Sequence, residues 1–62
     1  MNNEFDNPIE TLFIDGYYIE VEYLIEDWCA TYRSKGFSIF MSNKDKQTAI
    51  RLLVEYLNQE LS

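Results

Sequence analysis

Residues 13–27 read FIDGYYIEVEYLIED. Two apolar-rich runs flank Asp15-Gly16, a dipeptide that tolerates positive φ at both positions of a two-residue type I′ turn. Such a turn pairs Ile14 with Tyr17, Leu12 with Ile19 and Glu10 with Val21. Opposed residues share a face of the sheet. One face then carries Leu12, Ile14, Tyr17, Ile19, Val21, Tyr23 and Ile25. The other carries Phe13, Tyr18, Glu20, Glu22, Leu24 and Glu26. A helix over Tyr17 to Tyr32 is the competing reading. It scatters Ile19, Val21, Tyr23 and Ile25 around the cylinder, so period two fits better than 3.6.

The alternation extends through WCATYRSKGFSIFMS, residues 28–42. A tight reversal at Glu26-Asp27 pairs Ile25 with Trp28, Tyr23 with Ala30 and Val21 with Tyr32. A turn around Arg33 to Gly36 pairs Tyr32 with Phe37, Ala30 with Ile39 and Trp28 with Met41. All these side chains fall on the same inner face, and a one-residue slip would reverse them. The remainder, SNKDKQTAIRLLVEYLNQEL, residues 42–61, has helical periodicity. Ser42 or Asn43 is the expected N-cap, with Asp45 early in the first turn. Ile50, Leu53, Leu57 and Leu61 form one stripe, which Ala49, Leu52 and Tyr56 widen, with Val54 on its other side. The expected fold is α+β: a small two-layer sandwich in which an antiparallel meander of three to four strands precedes one C-terminal helix, ββββα. Residues 1–8 are expected to be a flexible tail and residues 9–62 the single domain, with Pro8 marking the entry to structure.

At 62 residues, such a domain buries only about 60% of the surface its unfolded chain exposes. Disulfides, metals or oligomerisation usually make up the deficit. The single cysteine, Cys29, cannot form an intramolecular disulfide, and the chain contains no histidine. Hydrophobic residues nevertheless make up 47% of it, too many for a disordered segment. A homodimer is the expected way to complete the core, with Leu52, Tyr56 and Phe40 as interface candidates.

The net charge of −6 is unevenly distributed: residues 1–32 carry eight acids and no base, and all five bases lie between Arg33 and Arg51. This balance disfavours nucleic-acid binding, because phosphate contacts supply most of its non-specific affinity. Arg33 and Lys35 are expected in a turn, and Lys44 and Lys46 at the helix start, as solubilising charge. General acid–base work near neutral pH most often uses histidine, and a carboxylate pair acting on sugars needs a cleft that one helix on one sheet scarcely offers. Gly16 and Gly36 read as turns rather than a phosphate loop. Cys29, with no histidine to activate it, is expected as a small buried hydrophobe. Glu20 and Glu22 share a strand face, yet the alternating Asp/Asn of a calcium loop is absent. No catalytic residue, metal site or cofactor is therefore expected. The opening MNNEFDNPIE lacks a basic n-region and an apolar run, no membrane span is present, and one cysteine suits a reducing compartment, so a cytoplasmic location is expected.

The acidic strand is the candidate binding surface. Glu20, Glu22, Glu26 and Asp27 are the expected charges, with Phe13, Tyr18 and Leu24 as apolar contacts. Neighbouring acids two residues apart lie ~7 Å from one another along a strand. In size, acidity, aromatic content and absence of catalytic residues, the chain resembles small phage-encoded proteins that disarm bacterial defence, the anti-restriction and anti-CRISPR inhibitors. That resemblance implies binding without catalysis, often as a homodimer, to a defence or nucleic-acid-handling protein, and it makes the expected location the cytoplasm of a bacterial host. From Tyr17 to Leu61 it also resembles HicB-type antitoxin domains: EDWCA (26–30) matches a D-x-W-like hairpin, and DKQTAIRLL (45–53) matches a helix opening with an acid-rich turn and an alanine. YRSKGF (32–37) stands where that family has a Pro-x-x-Pro-Gly-like segment, and no DNA-binding module follows. This second likeness implies toxin binding rather than autorepression.

Overall fold

In a computed structural model, which describes residues 9–61, four strands form one antiparallel sheet in the order β1-β2-β3-β4. They are β1 (Glu10–Ile14), β2 (Tyr17–Leu24), β3 (Asp27–Ser34) and β4 (Phe37–Asn43), and a helix, α1 (Lys46–Leu61), follows them. The chain therefore has the ββββα order its alternation and final helical stripe imply. The expected tail at residues 1–8, and Ser62, lie outside the described residues.

The first hairpin has the expected register: Ile14 opposes Tyr17, Leu12 opposes Ile19, and Glu10 opposes Val21. Asp15 and Gly16 both take positive φ, 54° and 90°, as a type I′ turn requires. The second turn is corrected by one position. Its two residues are Ile25 and Glu26, so Leu24 opposes Asp27, Tyr23 opposes Trp28 and Val21 opposes Ala30. This register brings the rings of Tyr23 and Trp28 to 5.1 Å. It also forces Ile25 to φ 59° and leaves its side chain 92% exposed. Ile25 is thus not an inner-face residue, nor Glu26 an outer-face one: both stand at a hairpin tip. The third turn is shorter than expected. Ser34 opposes Phe37, Tyr32 opposes Ile39 and Ala30 opposes Met41, which leaves Lys35-Gly36 as the loop, with Gly36 at φ 85°. Arg33 belongs to β3 rather than to the turn. Both corrections shift the pairing by two residues, and the side-chain period is two, so the remaining inner-face assignments survive.

Ile19, Val21 and Ala30 on the inner face pack with Ala49, Ile50, Leu53, Val54 and Leu57 of α1 to form the buried core. Leu12, Ile14, Tyr17, Trp28, Tyr32, Ile39 and Met41 border it. Leu61, expected in the helical stripe, is 46% exposed, because the stripe reaches the last turn beyond the end of the sheet. The helix lies chiefly over β3 and β4. Its other flank is tied to the β1 side. Lys46 Nζ donates to Glu10 Oε1 at 2.8 Å, Tyr17 Oη donates to the Leu57 carbonyl at 3.3 Å, and Asn58 Nδ2 donates to Asp15 Oδ2 at 3.1 Å.

The helix cap is Asp45, not Ser42 or Asn43. Asp45 Oδ2 accepts from the Thr48 amide at 2.9 Å and from the Thr48 hydroxyl at 2.7 Å, while the Ala49 amide donates to the Asp45 carbonyl at 3.0 Å. These hydrogen bonds, the hydroxyl's first, hold the Asp45 carboxyl below its ordinary value. Ser42 and Asn43 are still in β4, and Asn43 Oδ1 receives the Asp45 amide at 2.9 Å, which bends the chain out of the strand.

Candidate functional site

α1 covers the inner face, and among the described residues no element covers the outer face of the sheet. Pairing arranges it in rows. Phe13 and Tyr18 oppose each other near the first turn. Thr11, Glu20, Thr31 and Phe40 form the next row, and Glu22, Cys29 and Ser42 the one after it. Leu24 and Asp27 close the far end. Phe13, Tyr18 and Phe40 are 63%, 67% and 65% exposed. The Phe13 and Tyr18 rings lie 4.7 Å apart, as a tilted pair that presents one continuous apolar surface. Leu24 is 47% exposed and adjoins the hairpin tip.

The expected acidic stripe is redistributed. Glu20 and Glu22 remain on the outer face of β2, but Glu26 has moved to the turn and Asp27 opens β3. Glu20 is paired: Arg33, two residues on from Thr31 on the same face of β3, donates Nη1 to Glu20 Oε1. Among the described residues of this face, the acids with no ion pair therefore gather at one end, where Glu22, Glu26 and Asp27 flank the second turn. The aromatic pair sits at the other end, ~14 Å away for the four residues from Tyr18 to Glu22. The arrangement is bipolar, with rings at one end and carboxylates at the other.

Arg33, Thr31, Cys29, Ser38 and Ser42 complete the face and were not among the expected contacts. The Lys35-Gly36 dipeptide was the available signal: read as a two-residue loop, it places Arg33 opposite Ser38. Cys29 corrects another expectation. It stands on the outer face, partly exposed, with Sγ 3.8 Å from Thr31 Oγ1, rather than in the core. The dimer candidates divide: Phe40 lies on the outer face, while Leu52 and Tyr56 lie on a flank of α1, half-buried and 38% exposed respectively.

Among the described residues no polar or charged side chain is buried, and no three His, Cys, Asp or Glu residues cluster to hold a metal. No described helix is long and apolar enough to cross a membrane. The fold and its open face together define a small α+β domain whose distinguishing feature is a surface. No family model matches the chain, and neither a curated protein nor a solved structure does so.

Proposed function

We propose that the chain is a non-enzymatic, phage-encoded binding protein that blocks a bacterial defence or nucleic-acid-handling protein through the outer face of its sheet, acting in the host cytoplasm. The observation that supports this reading is the exposed Phe13–Tyr18 pair on a face whose opposite end gathers Glu22, Glu26 and Asp27. Aromatic side chains that lose water on docking supply most of the energy of a protein interface, and charges at its rim accelerate encounter with an oppositely charged partner. A basic groove shaped for nucleic acid offers that partner. Phe13, Tyr18 and Leu24 are the anchors in this reading, Glu22, Glu26 and Asp27 the steering charges, and Glu20 a positioned carboxylate held by Arg33. An antitoxin-like binder of a small basic toxin is the second reading, favoured by the same acidic tip. A purely structural homodimeric subunit is the third.

The test is capture of partners from bacterial lysate at low and high salt by the wild-type chain and by two variants, Tyr18→Ala and Glu22→Lys/Glu26→Lys. The second variant spares the Glu20–Arg33 pair. The proposal expects a nucleic-acid-binding protein whose DNA or RNA is displaced by the wild-type chain, with Tyr18→Ala weakening capture at all salts and the charge reversal weakening it most at low salt. Capture of a small basic toxin supports the second reading. Equal behaviour of wild type and both folded variants, or direct binding of the wild type to DNA, refutes the proposal.

A further inference from the structure

The sheet has two edges, and the β4 edge is uncharged. β4 reads FSIFMSN, with no charged residue, proline or glycine, whereas β1 holds Glu10, β2 holds Glu20 and Glu22, and β3 holds Asp27 and Arg33. Protein edges are ordinarily blunted by charge, proline or a bulge. We infer that β4 is a pairing edge and that its occupant is β4 of a second copy of this chain. The inference is independent of what the outer face binds.

The ladder dictates the register. Ser34 and Phe37 close the Lys35-Gly36 loop, and hydrogen-bonded pairs alternate with non-bonded pairs along an antiparallel ladder. Phe37, Ile39, Met41 and Asn43 therefore direct their backbone groups to β3, while Ser38, Phe40 and Ser42 direct theirs outward. The outward set is symmetric about Phe40. A two-fold axis there pairs Phe40 with its own copy and Ser38 with Ser42 of the second copy, engaging all the outward N–H and C=O groups in about six hydrogen bonds. The two Phe40 rings become a cross-strand pair on the outer face, and Ile39 meets Met41 on the inner face.

Charge and area favour the same seam. Two chains of net charge −6 repel wherever carboxylates face each other, and β4 presents none. Beside it lies a helix flank that carries Leu52 and Tyr56, with Glu60 one turn further on, near the end of α1. Asn58 reaches Asp15 on the β1 side; at ~100° per residue, Leu52 and Tyr56 lie about 120–160° around the helix from Asn58, toward β4. A strand of this length runs ~24 Å, and the sheet and helix layers together stand ~20 Å high. The seam thus offers on the order of 500 Å² per copy, close to the ~1,000 Å² total that a specific interface requires. The dimer is a continuous eight-stranded sheet that joins two outer faces.

Sedimentation and amide hydrogen exchange of the wild-type chain test this. The expected result is twice the 7.4 kDa chain mass, with the Ser38, Phe40 and Ser42 amides slowed by on the order of a hundredfold or more, alongside the Ile39 and Met41 amides that β3 already protects. A Ser38→Pro/Ser42→Pro variant removes outward donors only and is expected to sediment as a monomer with its β3–β4 protection intact. A wild-type monomer, a dimer in which those three amides exchange freely, or a folded proline variant that dimerises as tightly as wild type overturns the inference. Because the wild-type exchange pattern decides the matter by itself, a proline variant that fails to fold does not remove the test.

Discussion

Replacing Ile25 with glycine should stabilise the protein, although it deletes a large apolar side chain. Ile25 occupies the first position of the second turn at φ 59°. The left-handed region costs an L-residue roughly 1–2 kcal/mol, and a branched β-carbon is among the poorest fits to it. Its side chain is 92% exposed, so little burial is lost on truncation. Against the relief stands the extra freedom glycine gives the unfolded chain, about 0.4–1 kcal/mol. The difference is a net gain of about 0.5–1 kcal/mol. At ~4–8 °C per kcal/mol for a domain of this size, the melting temperature should rise by about 2–8 °C. Thermal and urea unfolding followed by circular dichroism at fixed protein concentration measures it, with Ile25→Val as the control that keeps the branch and should change little. If Ile25→Gly lowers the melting temperature with an unchanged urea slope, the reasoning fails. The isoleucine would then be making a contact in solution worth more than its backbone strain, and the hairpin tip, with Leu24 beside it, would be part of an interface.

Other perturbations probe the core, the helix cap and the tie between layers. Leu53 is fully buried beneath the sheet, and Leu53→Ala should cost ~2–5 kcal/mol, enough in a domain this small to abolish a cooperative urea transition; a sharp transition near the wild-type midpoint refutes the assigned core. Asp45→Ala should destabilise the start of α1. Since the Asp45 carboxyl titrates below its ordinary value of 3.8 when folded, its stabilising effect is present above that value and lost as pH falls through the folded value. The wild-type and Asp45→Ala unfolding midpoints should therefore converge in acid, and a gap independent of pH refutes the charged cap. Tyr17→Phe removes the hydrogen bond to the Leu57 carbonyl and should cost about 0.5–1.5 kcal/mol, with faster amide exchange confined to the last turns of α1.

Much of the fold was legible because the sheet alternates with period two and every hairpin respects that parity. Asp15-Gly16 announced its turn chemically, since aspartate tolerates and glycine favours positive φ. The second turn did not. Neither Ile25 nor Glu26 is a turn residue by preference, so local chemistry gave no reason to place the reversal there. What the observed register gains lies outside the turn itself: Tyr23 against Trp28, and Val21 against Ala30 beneath the helix. The helix start was misplaced for a related reason. Ser42, Asn43 and Asp45 are all good caps, and the choice fell to Asp45 because β4 runs on through Asn43 before the chain turns.

The candidate face was less legible than the fold, because a strand shows its acids in one dimension and a sheet arranges them in two. Read along β2, Glu20, Glu22 and Glu26 form a stripe. In the sheet, Arg33 arrives beside Glu20 from the neighbouring strand, Glu26 leaves for the turn, and the stripe becomes a cluster at one end. The aromatic end of the face carries the stronger argument for a role in binding. In water a one-sided antiparallel sheet gains at most about 0.2–1 kcal/mol from a cross-strand ring pair such as Phe13–Tyr18, and Thr in those positions keeps strand propensity without exposing a ring. Exposed aromatic surface is an association liability, yet these rings lie on the face the helix leaves uncovered. Two of them already lie in contact as a tilted pair, which lowers the side-chain freedom left to lose on docking. The third stands at the centre of the uncharged edge, where self-pairing would place it against its own copy. The same three residues thus link the two proposed contacts: Phe40 at the seam between copies, and Phe13 with Tyr18 on the joined surface that the seam creates.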